Sequence, residues 1–397
     1  MKPKRSNHRF EYLIINFFIF IGIGLLSFLL FNTAIFNQFT QAFKDFTLTD
    51  MYYANIINKD KIYEGPLVLI NAENKSREEI AFLLQRLEEG KPKVIGVDII
   101  FRDKKDSAGD ELLKQTFSKY NNLVLPYVAS FNNTDEEIKN NEYFNTNAAA
   151  YVNLVGEQRE FSTIRYFYPV YNKAQSFATA VMQLYDPEKA KYFKKQADKK
   201  TEIRYYGNLQ NYAYQTFDEI MDPAYDTKNL KDKIVVLGYL GMPGKTNIAL
   251  DEDLFFTPLN PRLSGRSYPD MYGTVIHANI IRMALDKDHI YTFPKWLNIV
   301  FAFLINWLLL PFFIYWYVHK PLWYHLMLVL TQFAISILFV FFAVWLYAGA
   351  NIKMEPSNLL VAVLFAGDFI LLYHHIIKYC KHKLGWNFHS KFFEGAH

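Results

Sequence analysis

Asp98 is the first residue whose type and position suggest chemistry. It stands near the end of Lys93-Val-Ile-Gly-Val-Asp-Ile-Ile-Phe101, an otherwise apolar run. A lone carboxylate there can hold a ligand, cap the turn that follows, or pair with a nearby Lys or Arg. The second such residue is Asp368, near the middle of the last apolar block, in Leu-Phe-Ala-Gly-Asp-Phe-Ile-Leu. A carboxylate in the middle of a bilayer costs several kcal/mol unless it is neutral, paired or hydrated, so Asp368 is expected to face protein. Asn306 and Gln332 are polar positions in two other apolar blocks and are its expected hydrogen-bond partners. Three roles fit Asp368: a packing hydrogen bond, a contact to a partner's membrane helix, and proton handling.

Other patterns fall short of a chemistry. Gly241-Met-Pro-Gly-Lys-Thr246 resembles a phosphate loop, but the position five before Gly244 is Tyr239, and Gly238 comes one residue too early. His277 is isolated, with no second His and Glu at zinc spacing, and a lone His on a helix is more often structural than a ligand. There is no Gly-x-Ser-x-Gly elbow. The one cysteine, Cys380, excludes an intrachain disulfide and a cysteine metal cluster. A net charge of +4 without a basic, aromatic-studded patch argues against nucleic acid. No cofactor, no metal and no catalytic activity are expected.

The elements that must hold Asp98 are legible around it. Pro66–Asn71 reads as a buried strand, and Ile80, Leu83, Leu84 and Leu87 form one apolar helical stripe. Gly90 and Pro92 end that helix, and Lys93–Phe101 reads as a strand buried on both faces. Strand, helix, strand over this length is a βαβ unit, normally parallel and right-handed. Asp98 then lies at the carboxyl end of a parallel strand, where open α/β sheets hold ligands. Asn122–Val128, Ile203–Gly207 and Lys233–Gly238 read as further strands. Ala150–Val155 and Glu160–Tyr168 flank Gly156 and suggest a hairpin; residues 131–148 read as an exposed loop. Ser176–Tyr185, Lys189–Lys200 and Tyr272–Asp286 read as helices, and Phe39–Ile57 as a helix continuing the first apolar block.

Hydrophobic residues make up 51% of the 397, and four long apolar blocks stand out among them. Lys2, Lys4, Arg5 and Arg9 precede an apolar block too long for a signal peptide and without a clear cleavage site. The expected order is a cytoplasmic N-terminus (1–12), a first span (13–36), an extracytoplasmic α/β domain with a mainly parallel sheet (37–294), spans at 296–318, 322–346 and 359–377, and a basic cytoplasmic tail (378–397). Lys378, Lys381, Lys383 and Lys391 agree with the positive-inside rule. Trp296, Trp316, Trp323, Trp345 and Tyr347 fall near block ends, where an aromatic belt belongs. The expected location is a bacterial cytoplasmic membrane, with the large domain on its outer side.

The order of landmarks resembles the CHASE2 domain family. Leu67–Asn71, Pro92–Phe101 and Leu230–Gly238 match its strands; Asp253-Leu-Phe-Phe-Thr-Pro258 is similar to its Asp-x-x-x-Thr-Pro, and Gly273-Thr-Val-Ile-His-Ala-Asn279 to its Gly-x-x-x-His-Ala-Asn. The resemblance covers about residues 40–380. It implies a sensor-type module, with Asp98, Asp253, Thr257, His277 and Asn279 converging at the ligand side of the sheet. The family's turn after the first strand, Trp-Pro-x-x-Arg, is replaced by Ala72-Glu-Asn-Lys-Ser-Arg77, so Arg77 is the one residue of it that remains. Relatives commonly carry a cytoplasmic kinase or cyclase after the last span; here about 20 residues follow it, so output is expected to pass through another membrane or envelope protein. The resemblance implies that the outer domain binds a small molecule or a protein. The alternative expectation is a structural or accessory subunit of a larger envelope complex.

Overall fold

The computed structural model describes residues 8–31, 48–55, 61–105, 107–131, 137–144, 149–155, 162–242, 253–260, 268–354, 357–386, 390 and 392. The chain divides into two compact units. One is Asp45–Ile290; the other joins Met1–Lys44 to Tyr291–His397.

The first unit is an α/β fold. Its six strands are β1 (Leu67–Asn71), β2 (Val94–Asp98), β3 (Leu123–Tyr127), β4 (Ala149–Tyr151), β5 (Ala213–Gln215) and β6 (Ile234–Gly238). They form one sheet in the order β4-β3-β2-β6-β1-β5, and every pairing is parallel. The central strands are buried along their whole length, apart from Asp98 at the end of β2. That is why they read as continuous apolar runs rather than alternating ones. Register puts Asn71, Gly238 and Asp98 side by side at the carboxyl edge.

Helices cover both faces. Helix α1 (His8–Phe31) belongs to the other unit; in this one α2 (Leu48–Asn55) comes first. Helix α3 (Arg77–Glu89) starts at a capping box in which Ser76 and Glu79 satisfy each other's backbone N–H groups. Its stripe of Ile80, Leu83, Leu84 and Leu87 is fully inside. Burying each such leucine is worth roughly 1.5–3 kcal/mol. Helices α4 (Ser107–Lys119) and α7 (Phe217–Met221) share that apolar cluster with Val68, Ile70, Ile95, Val97, Val235 and Leu237. The alternate strand residues face the other way. A Cβ on Gly96 would meet the Phe177 ring of α5 (Phe177–Tyr185), and one on Gly238 would strike Thr274 of α8 (Gly273–Leu285). So α5 and α8 lie on the second face, with α6 (Pro187–Lys195) beside them.

The placement of the helices on the two faces has a functional consequence. The connections after β1 and β2 lead to α3 and α4 on the first face. The connection after β6 leads to α8 on the second. Strand β6 lies between β1 and β2, so the carboxyl edge at Asn71, Gly238 and Asp98 is the topological switch point, the usual ligand crevice of an open parallel sheet.

Some local expectations need correction. Ala149–Tyr151 pairs parallel with β3, and Tyr166–Phe167 pairs with Thr201–Glu202. The anticipated hairpin survives only as a bridge between Val155 and Tyr166, because sheet pairing outcompetes it; residues 156–161 lie outside the described set. Residues 203–207 form no ladder of their own. Their backbone is bound instead by Arg165, Asn279 and the Tyr53 hydroxyl. Of the phosphate-loop-like stretch only Gly241 and Met242 from its first half are described, and the segment 39–47 of the anticipated second helix lies outside as well.

In the second unit α1 packs against α9 (Lys295–His319) and α11 (Ser357–Lys383), and α10 (Pro321–Ala350) packs against α9 and α11. All four helices are long and apolar enough to cross a membrane. Ile15, Ile19, Leu310, Phe313, Ala366 and Ile370 form the shared core of α1, α9 and α11. At Gly22 any Cβ would enter the Phe369 ring, so α1 approaches α11 closely there, whereas Gly24 touches nothing. Trp296, Trp323 and Trp345 are exposed near helix ends, as aromatic anchors are.

Candidate functional site

The switch point is built by three buried strands and one helix start. Asn71, at the end of β1, is fully buried. Its Oδ1 accepts from the backbone of Glu73 and Leu240 at 3.0 Å each, and its Nδ2 donates to the Gly241 carbonyl at 2.7 Å. It therefore ties the exits of β1 and β6 together. Asp98, half-buried at the end of β2, accepts a 2.7 Å hydrogen bond from the Thr274 hydroxyl in the first turn of α8. Thr274 and the bare Gly238 lie in contact, so a side chain on the strand would displace the hydroxyl.

Helix α8 starts without a side-chain cap from Tyr272. Two carboxylates stand there instead. The Asp253 carboxylate lies 3.1–3.2 Å from where a Cβ of Gly273 would be, and its carbonyl accepts from the Gly273 N–H. Asp98 is at the next residue. Negative charge at a helix N-terminus is favourable, by about 0.3–1 kcal/mol per group. Asp253 reaches this place with a left-handed backbone, φ 63°.

His277 follows one turn later on α8. It is 4% exposed, its ring lies 5.2 Å from that of Phe177, and its Nδ1 is buried without a hydrogen-bond partner among the described residues. Burial pulls its pKa below the ordinary histidine value, and the Asp98 charge pulls the other way. A buried imidazole nitrogen with no partner carries a desolvation cost of about 1–3 kcal/mol.

The other anticipated site residues are held elsewhere. Asn279, fully buried, accepts from the Tyr206 N–H and donates to the Gly207 and Val275 carbonyls, so it pins residues 206–207 to α8. Thr257 donates its amide (2.8 Å) and its hydroxyl (2.5 Å) to the Asp270 carboxylate. That clamp closes a small antiparallel ladder of Leu254–Phe255 with Met271–Tyr272 just ahead of α8. Burial raises the Asp270 carboxyl to about 6, against the lowering effect of the donors on Thr257 and Asn260. Arg77 is ion-paired to the buried Asp110 of α4 and stacks over Phe101 and Phe144 at 5.8 and 5.4 Å. Its guanidinium therefore joins α3 to α4 on the first face. Asp98, Asp253 and His277 are together at the head of α8; Thr257 and Asn279 brace that region, and Arg77 is outside it. Among the described residues no three His, Cys, Asp or Glu side chains gather as metal ligands.

Sequence reasoning passed over Thr274, Asn71 and Asp270. Thr274 sits inside the quoted glycine-to-asparagine stretch, and Asn71 ends the first strand, where a polar residue closing an apolar run was the available signal. Asp270 had no such signal. Nor had the pairing of Arg165 with Asp50, 115 residues apart, which fastens α2 to the sheet unit.

In the apolar unit the expected links to Asp368 are replaced by others. Asn306 donates to Asn16 of α1 at 2.8 Å, and Asn16 donates to the Phe303 carbonyl at 2.8 Å. Gln332 donates to the Val363 and Leu364 carbonyls at 3.1 and 2.9 Å. Both amides are buried between helices, where satisfying them locally outweighs reaching across the bundle. Asp368 is exposed, and among the described residues no hydrogen bond or ion pair reaches it.

No curated protein and no solved structure matches the chain. The family model of the CHASE2 domain matches residues 17–314, from within α1, through the whole α/β unit, into α9. The chain therefore belongs to the CHASE2 domain family.

Proposed function

We propose that the protein is a non-enzymatic, multi-pass protein of the bacterial cytoplasmic membrane whose α/β unit lies outside the membrane as a sensory or interaction domain. Its stimulus is received at the carboxyl edge of the sheet, and its output passes through a separate protein. The observation that carries this reading is the setting of Asp98, Asp253 and His277 at a switch point, at the head of one helix, inside the CHASE2 match. Neutral His277 and the two carboxylates suit a small polar ligand that donates hydrogen bonds. A second reading, an accessory subunit of a larger envelope complex, is favoured by the outward carboxylate of Asp368.

The two readings separate in one experiment. The full-length tagged protein is purified from native membranes, alongside Asp98→Asn. A sensory role predicts recovery alone or with a regulator whose output changes in Asp98→Asn while recovery does not. Fixed stoichiometry with an envelope machine, unaffected by Asp98→Asn, would instead establish the second reading.

A further inference from the structure

Helix α11 has two opposite faces. Val363, Ala366, Gly367, Ile370 and Ile377 are buried in the bundle. Leu364, Asp368, Leu372, His375 and Tyr379 follow at helical spacing on the other side, and all are exposed. Leu364 and Leu372, one turn to either side of Asp368, are 51% and 49% exposed. Asp368 is thus a carboxylate in an outward apolar stripe rather than in the bundle interior.

Its depth follows from its neighbours. Gly367 packs against Leu328, and its carbonyl accepts from the Tyr324 hydroxyl at 3.4 Å. Tyr324 and Leu328 are in the first two turns of α10, so Asp368 lies roughly 5–10 Å along the bundle from the α9–α10 turn. A charge there costs less than the roughly 2.5–3.5 kcal/mol of a span's centre, but it remains unfavourable against lipid until it is paired. The amides Asn16, Asn306 and Gln332 of the apolar spans do not compensate it: Asn16 and Asn306 are engaged with each other and with the Phe303 carbonyl, and Gln332 with backbone.

We propose that this stripe of α11 is the seat for a transmembrane helix of a different protein, which brings a Lys or Arg to Asp368. Charge complementarity selects the occupant. The four apolar spans of this chain, residues 13–31, 296–318, 322–346 and 359–377, contain no Lys or Arg. A second copy related by an axis along the membrane normal would set Asp368 against itself. Lipid tails offer Asp368 no donor. A basic side chain at matching depth neutralises it, with Leu364 and Leu372 as the apolar contacts on either side. The inference gives a place and a chemistry to the partner of the proposed function, and it does not depend on what the outer domain binds.

The test places a photo-crosslinking amino acid at Leu372 in the full-length protein in native membranes, with Leu330, exposed on α10, as the control position. The expected result is an adduct with one membrane protein whose span contains a Lys or Arg, from Leu372 and not from Leu330. Asp368→Leu and Asp368→Asn should each lower the adduct about tenfold, the effect of losing about 1.4 kcal/mol. Both variants should reach the membrane in wild-type amount, because leucine is at home on a lipid-facing stripe. Asp368→Lys should abolish the adduct, and changing the partner's basic residue to Asp should restore it. Adducts with lipid alone, an adduct of twice this chain's mass, or a protein adduct unchanged by Asp368→Leu would each overturn the proposal. A partner recovered by native purification but not through Leu372 would overturn this seat while leaving the proposed function intact.

Discussion

Thr274 donates a 2.7 Å hydrogen bond to Asp98 across 176 residues of sequence, joining the end of β2 to the first turn of α8. Thr274 is fully buried and Asp98 half-buried, so the bond is shielded on one side. Thr274→Val keeps the shape and removes the donor. It should cost about 2 kcal/mol, as hydrogen bonds to charged groups do. Thermal unfolding of the purified full-length protein checks this; a variant that melts with wild type would show that the bond contributes nothing.

The close approach of β6 and α8 gives a graded prediction. Gly238→Ala forces the new methyl into Thr274, whereas Gly273→Ala brings it to 3.1–3.2 Å of the Asp253 carboxylate, which can rotate. Gly238→Ala should destabilise by about 1–3 kcal/mol, and Gly273→Ala by less. Equal losses in chemical denaturation would contradict the packing described at the switch point.

Asp270 makes a pH prediction. Its folded-state carboxyl is raised to about 6 from an ordinary 3.8, chiefly by burial. A raised pKa means the folded state favours the neutral acid. The stability this contributes is fully present below about pH 4 and is lost as pH rises through about 6. His289, stacked on Tyr192 and lowered to about 4 by burial, acts oppositely: its contribution is present above the usual histidine value and is lost as pH falls toward 4. The difference between wild type and Asp270→Asn isolates the first effect. Relative to the variant, wild type should lose stability between pH 4 and 7, by on the order of 2 kcal/mol. A difference that stays flat over this range would refute the assignment.

Asn16 and Asn306 should be energetically coupled. Each is fully buried, and Asn306 donates to Asn16 at 2.8 Å. Replacing either with Leu should cost about 1 kcal/mol, and the double variant should lose clearly less than the sum, since interhelical polar bonds in membranes couple by roughly 0.6–1.7 kcal/mol. A double-mutant cycle in detergent, followed by helicity, reads the coupling. Strict additivity would mean that the two amides are satisfied independently.

The central fold was legible because parallel strands buried on both faces write themselves as apolar runs, as Leu67–Asn71, Val94–Asp98 and Ile234–Gly238 do. Helix α3 was legible from its stripe and its Ser76 start. The edge was less so. Ala149–Tyr151 and Tyr166–Phe167 alternate like a hairpin, but each pairs with a distant strand, and pairing partners are not encoded in local alternation. The site was half legible. Asp98 and His277 carry the right residue types, yet whether a buried polar group faces a neighbour or a crevice depends on contacts such as Thr274–Asp98 and Asn279–Gly207, separated by 176 and 72 residues. Asp368 reversed its expected orientation for the same reason: nearby carbonyls satisfied Gln332, and Asn16 satisfied Asn306.

The proposed sensory role requires the α/β unit to lie outside the membrane and the end of α11 inside it. Cys380, the one cysteine, lies near the end of α11 on the side assigned to the cytoplasm. The direct measurement is labelling with a membrane-impermeant maleimide on intact spheroplasts. Wild type should stay unlabelled until the membrane is opened, whereas Cys380→Ser carrying Lys231→Cys, an exposed position beside β6, should label at once. Immediate labelling of Cys380 together with protection of the cysteine at 231 would invert the topology and end the sensory reading.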